Sequence, residues 1–111
     1  MKDLSEAIEE SENPSTHPHR LAELSKHENQ VIRMCVVQNQ STAIDTLATM
    51  LHDRSSLVRI ALAERKDLAL TKQGNQLLKI LSTDLDRCVR GFARMSLGLR
   101  VGSYTSNRKL S

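Results

Sequence analysis

The sequence predicts an all-α fold, a short α-α superhelix (solenoid) of about three helix-pair repeats behind an N-terminal helical cap. Three observations predict it. Turn formers are scarce, with four Gly and two Pro in 111 residues, against the many tight turns of an all-β domain. Apolar residues recur at helical spacing, as in Leu21 with Leu24 and Leu47 with Met50 and Leu51. The chain also repeats itself. Asn13-Pro-Ser-Thr16 returns 26 residues later as Asn39-Gln-Ser-Thr42, and the same offset maps Leu21 onto Leu47, Leu24 onto Met50, Val31 onto Leu57, Arg33 onto Arg59 and Val36 onto Leu62. An offset of 31 then maps Leu47 onto Leu78, Met50 onto Leu81, Asp53 onto Asp84, Val58 onto Val89 and Arg59 onto Arg90.

The elements follow in order. Lys2 to Glu12 carries Leu4, Ala7 and Ile8 at helical spacing beside four glutamates, and is expected to form an acidic cap helix. Repeats are expected at about 13–38, 39–64 and 65–97. Each begins with a turn whose Ser or Thr (Ser15 or Thr16, Ser41 or Thr42) is expected to accept hydrogen bonds from the unpaired amides of the next helix. Pro14 and Pro18 suit the approach and first turn, where no amide donor is needed. The second helices, around Val31–Val36, Leu57–Leu62 and Cys88–Ala93, are apolar nearly all round and so expected to be buried on more than one side. The five extra residues of the third repeat fall near Leu68 to Asn75, where Gly74 marks a looser connection. Helices of about ten residues are marginal alone and gain stability by stacking on the next pair. One domain over 1–102 and a basic flexible tail over 103–111 are expected, with Leu97, Leu99 and Val101 covering one end or a second copy.

Composition narrows the function. Hydrophobic residues are 39%, charged residues 26% and aromatic residues only 2%, so the core is aliphatic. The net charge of +3 hides an asymmetry. Residues 1–30 carry three basic and seven acidic residues, net −4, and residues 31–111 carry thirteen basic and six acidic, net +7. No basic start with an apolar run marks a secretory signal, and no stretch approaches the roughly 20 apolar residues that span a bilayer. Cys35 and Cys88 lie within apolar helical patterns and are expected to be free buried thiols. A cytoplasmic protein without membrane association is expected.

The words Asn13-Pro-Ser-Thr-His-Pro-His-Arg-Leu-Ala-Glu-Leu24 and Gln30-Val-Ile-Arg-Met-Cys-Val-Val-Gln-Asn-Gln-Ser-Thr42 resemble the leucine-rich repeat variant family, a HEAT-like group of α-helical repeats. The likeness covers residues 13–64 well and 65–97 loosely: Gln40 replaces an expected Pro, and Arg65-Lys66 replaces the third Asn-Pro. It implies a right-handed superhelix of short paired helices, some of them wound at three residues per turn. One member of that family carries an iron–sulfur cluster on a separate cysteine-rich segment. Here Cys35 and Cys88 stand alone, too few for four thiolate ligands, and no cofactor is expected.

Two sets of basic residues are candidates for function. Arg33, Arg59 and Arg90 hold equivalent places in the three repeats and are read as a structural ladder, each fork binding a carboxylate that ties one repeat to the next. A row of arginines offered to phosphates is the competing reading. Arg54, Arg65, Lys66, Lys79, Arg87, Arg94 and Arg100, with Lys72, lie outside that column and form the candidate binding surface. Gathered on one face, they would follow a phosphate backbone without reading sequence, since aromatics for base stacking are lacking. His17, His19, His27 and His52 lack the spacing of a metal site. Neither a glycine-rich phosphate loop nor a nucleophile elbow is present, and the aromatic pocket of the HEAT-like DNA glycosylases has no counterpart without Trp. The expectation is a non-enzymatic scaffold that binds a protein partner. Sequence-independent binding of a DNA backbone through the basic half is the second reading, and self-association the third.

Overall fold

The structure, a computed structural model, describes residues 3–98. Arg100, Leu99, Val101 and the tail 103–111 lie outside the described residues. Within them the chain is all-helical: α1 (Leu4–Glu12), α2 (Pro18–Leu24), α3 (Gln30–Gln38), α4 (Ile44–Thr49), α5 (Ser56–Ala63), a 3₁₀ segment (Lys66–Leu70), α6 (Lys72–Leu81) and α7 (Arg87–Ser96). None of these helices is long and apolar enough to cross a membrane. Two compact units divide the chain, Met1–Leu62 and Ala63–Ser111.

In the first unit, α1 starts with a capping box. The Asp3 carboxylate accepts from the Glu6 amide at 2.9 Å and the Glu6 carboxylate accepts from the Asp3 amide at 3.2 Å. Ala7 and Ser11 form its buried side, and the helix packs on α3 and α2. Leu4, expected on that side, is exposed. The core of the unit is aliphatic. Leu21, Leu24, Ile32, Val36, Leu47, Met50, Val58 and Leu62 are all buried, and each such side chain stabilises the fold by about 1.5–3 kcal/mol over leaving it in water.

The Ser/Thr turns work differently from the sequence expectation. α2 is capped by His17, whose Nδ1 accepts from the His19 amide at 3.1 Å, and α4 starts after Ala43 with no side-chain cap. The threonines instead close the preceding helix. Thr16 Oγ1 donates to the Glu10 carbonyl and Thr42 Oγ1 to the Val36 carbonyl, each at 2.6 Å and each reaching back six residues. Asn13 and Asn39 hold the turn by accepting from the Ser15 and Ser41 amides at 2.8 Å. The same two carbonyls also accept from the Asn13 and Asn39 amides, at 3.3 and 3.1 Å, so each threonine adds a second bond to a helix-end carbonyl, which has two lone pairs to offer.

In the second unit, α6 packs on the 3₁₀ segment and α7 packs on both. Leu68, Leu77, Leu78, Leu81, Val89 and Ala93 fill its core, and Ser96 Oγ donates to the buried Ala63 carbonyl at 2.6 Å. The extra residues expected near Leu68 to Asn75 fall on the end of the 3₁₀ segment and the first turn of α6. Gly74 marks no loose connection: it lies buried in the first turn of α6, its amide donating to Thr71 Oγ1 at 3.0 Å. A Cβ there would run into the Leu68 carbonyl and come within 2.8 Å of Leu68 Cα. Gly98 ends α7 in a left-handed conformation, φ 81°, with its amide on the Met95 carbonyl at 3.0 Å. α7 also departs from the apolar-all-round expectation, since Arg87, Cys88, Arg94 and Met95 are exposed along one side.

The two helical glycines therefore predict opposite outcomes. Gly74→Ala forces two backbone segments apart and lowers stability by about 1–3 kcal/mol. A Cβ at Gly91, within α7, meets nothing within 4 Å, so Gly91→Ala raises stability by about 0.5–1 kcal/mol through helix propensity alone. Thermal melts of the two variants check both signs.

Candidate interaction surface

The arginine column is built on backbone carbonyls. Arg33 Nη1 donates to the His27 and Glu28 carbonyls at 2.8 and 3.0 Å. Arg90 Nη1 does the same to Asp84 and Leu85, both at 2.9 Å, and Arg59 Nη1 donates to the Asp53 carbonyl at 2.6 Å. In all three places the arginine reaches back to the break between paired helices, where carbonyls have no helical donor. The break itself is held by a side-chain acceptor two residues before an amide: His27 Nδ1 from Asn29, Asp53 Oδ1 from Ser55, and Asp84 Oδ1 from Asp86, at 2.8–2.9 Å. Asn29 and Asp86 then cap α3 and α7 through the Val31 and Cys88 amides at 2.8 Å.

The remaining donors of Arg33 join one helix pair to the next. Its Nε and Nη2 grip Asp53 Oδ2 and Oδ1 at 2.8 and 3.1 Å, with the two side chains 3% and 7% exposed. Further cross-links lie alongside. Asn39 Nδ2 donates to the Ser11 and Asn13 carbonyls at 2.9 Å, Ser41 Oγ to the Pro14 carbonyl, Arg54 Nη2 to the Glu28 carbonyl at 3.3 Å, and Ser55 Oγ to Gln30 Oε1 at 2.6 Å. At the rim, Arg20 binds Glu10 at 2.7 Å and Glu23 at 2.9 Å, and the hydrogen bond to Glu10 holds its guanidinium protonated well beyond the ordinary arginine range.

The basic candidate residues divide by unit. Arg54 is exposed in the first unit, beside Glu28. In the second, Arg65 is bound to Asp67 at 2.7 Å and holds that carboxyl below the usual carboxylate range. Lys66, Lys79, Arg87 and Arg94 are exposed and have no carboxylate partner among the described residues. Arg87, Arg90 and Arg94 fall on one side of α7, at the i, i+3, i+7 spacing. Arg100 lies outside the described residues. No group of three or more His, Cys, Asp or Glu among the described residues is placed to hold a metal.

One feature escaped the sequence reading. The ends of the first and second helix pairs enclose an open groove lined by Glu28, Gln30, Arg33, Arg54, Ser55, Ser56 and Leu57. Val31 on α3 and Leu57 on α5, equivalent at the 26-residue offset, remain 46% and 47% exposed. Residue type gave no signal for it: Val31 and Leu57 are as apolar as the buried Ile32 and Val58 that follow them, and α3 and α5 bury several successive positions.

The cysteines differ. Cys35 is buried beside Glu12, its Sγ 3.9 Å from Oε2, and burial pushes its thiol above the ordinary value. Cys88 is exposed on α7, against the expectation of a buried thiol, because only Val89, Ala93 and Ser96 of that helix turn inward. An alkylating reagent is therefore expected to label Cys88 roughly tenfold faster than Cys35 in the folded protein, because burial screens the Cys35 sulfur and disfavours its thiolate, and equally fast once unfolded. Peptide mapping against time checks this.

Compared with protein-family models, curated proteins and solved structures, the chain matches none.

Proposed function

We propose that the chain is a non-enzymatic helical-repeat scaffold of the cytoplasm that binds a protein partner. In this reading the three helix pairs continue one another as a short right-handed superhelix of the leucine-rich repeat variant type, with α1 as its cap. One observation carries the proposal: Val31 and Leu57 occupy the same position in successive helix pairs and leave about half their apolar surface in water, beside a groove rich in hydrogen-bonding groups. Repeat proteins recognise partners through such recurring positions on one face, and apolar residues rimmed by polar ones mark contact sites for protein. A partner segment laid along the groove covers Leu57 and Val31 while Gln30, Ser56 and Arg54 supply hydrogen bonds.

The second reading is binding of a nucleic-acid backbone without sequence preference. Its support is the exposure of Lys66, Lys79, Arg87 and Arg94 with no carboxylate partner among the described residues. Such binding is steep in salt because it releases counterions, whereas an apolar contact is not.

The two separate in one comparison. Under the scaffold reading, affinity capture from native extract at moderate salt retains a specific protein, and Val31→Asp with Leu57→Asp abolishes that capture while helical content stays unchanged. Arg87→Glu with Arg94→Glu leaves the groove contact intact. If nothing specific survives moderate salt, while duplex DNA binds at low salt and is lost on the arginine reversal, the backbone reading replaces it.

A further inference from the structure

Arg33 and Arg90 make the same two carbonyl contacts through Nη1, but only Arg33 is completed. Its Nε and Nη2 hold the Asp53 carboxylate in a two-pronged grip. The Nε and Nη2 of Arg90 have no acceptor among the described residues. Residues 87–111 contain no Asp or Glu that could serve as the carboxylate Asp53 provides. Around this open fork the side of α7 changes character. The position of buried Val37 and Ala63 is taken in α7 by exposed Arg94, and that of Gln30 and Ser56 by exposed Arg87. Where the earlier segments carry Gln30, Arg33 and Val37, or Ser56, Arg59 and Ala63, α7 carries three arginines, with Gly91 between Arg87 and Arg94 adding no side chain that would keep a partner away.

The complementary surface is on the same chain. The side of α1 away from its buried Ala7 and Ser11 carries exposed Glu6 and Glu9, and exposed Glu12 continues the row at the helix end, with its Oε2 3.9 Å from the Cys35 Sγ. Arg87 to Arg94 spans roughly 10 Å of helix and Glu6 to Glu12 roughly 9 Å at 1.5 Å per residue, so the two charge rows match in length. The units that carry them are opposite in sign: Met1–Leu62 has nine acidic and six basic residues, net −3, and Ala63–Ser111 has four acidic and ten basic, net +6.

We infer that the arginine side of α7 docks the acidic side of α1 from a second copy of this chain, with a glutamate carboxylate occupying the Arg90 fork as Asp53 occupies that of Arg33. This deepens the scaffold reading, on which it rests for the equivalence of the repeats, by naming a partner. The contact is heterologous: each copy offers one acidic and one basic side, so assembly runs head to tail and continues until a ring closes or the copies run out. It is electrostatic at its rim and therefore weakens with salt.

Sedimentation velocity of the full chain over a range of concentrations tests it. The expected result is a mass that grows with concentration at low salt and falls toward the monomer as salt rises. Arg87→Glu with Arg94→Glu stays monomeric, and so does Glu9→Lys with Glu12→Lys. Mixing the two variants restores association, since the acidic α1 of the first meets the unchanged α7 of the second. The neutral pair Arg87→Gln with Arg94→Gln, a milder change should a reversal disturb folding, weakens association about tenfold, as the loss of two exposed ion pairs would. A wild-type chain that is monomeric at every concentration overturns the inference, as do association that either reversal leaves untouched and a mixture of folded variants that fails to associate. A monomer that still captures a protein through Val31 and Leu57 sinks the self-docking alone. Loss of that capture together with intact self-association sinks the groove reading instead.

Discussion

Burial of the Arg33 guanidinium is the constraint on which the first unit depends. Arginine cannot shed its charge, and at 3% exposure it has almost no water. A buried charge is tolerated only with its donors satisfied by good partners. Arg33 finds them in two places, the carbonyls of its own break and the Asp53 carboxylate of the next helix pair. The same helix turns Ile32, Val36 and Val37 into the core. α3 therefore cannot bury its apolar side unless Asp53 is in place, and Asp53 is in place only when the break before α5 is formed. Packing of one pair and folding of the next become a single event.

The other polar contacts follow the same logic. The helices run six to ten residues, which gives each a high share of unpaired end groups. Thr16 and Thr42 reach back to the carbonyls of Glu10 and Val36, Asn39 covers those of Ser11 and Asn13, and the arginines cover those of the breaks. Apolar slots such as Leu21 and Leu47 supply the driving force for these short helices, and the arginines give the carbonyls of the breaks donors that the helices do not provide.

The helical class and the places where helices start were legible in the sequence because apolar spacing and turn residues repeat. α3, α5 and α7 begin at residues 30, 56 and 87, at the offsets of 26 and 31. Leu21, Leu47 and Leu78 are all buried because a period records which side a residue faces. The acceptors were not legible. Thr16 and Thr42 looked like caps of the following helix, yet the groups they satisfy are carbonyls of the preceding one, and a carbonyl carries no residue-type signature. Gly74 looked like slack in the chain, when the reason for it is the close approach of Leu68, which only three dimensions reveal. Cys88 looked buried because its neighbours Val89 and Phe92 are apolar; α7, carrying Arg87, Arg90 and Arg94, turns only one narrow side inward. Of the candidate surface, the basic residues were legible by type alone, while the neutralisation of Arg65 by Asp67 and the groove beside Leu57 depend on geometry.

What the fold leaves unused is as ordered as what it uses. Val31 and Leu57 stand 26 residues apart on successive apolar helices, and Arg87 and Arg94 flank Arg90 at helical intervals, each next to side chains engaged in holding the chain together. The account therefore stands or falls on the coupling between successive pairs. A double-mutant cycle on Arg33→Met and Asp53→Leu, read by chemical denaturation, tests it most directly. The account predicts that each single change costs about 3–5 kcal/mol by leaving a buried charge alone, and that the double change costs far less than their sum. Losses that simply add would show the two side chains to act independently and would contradict it.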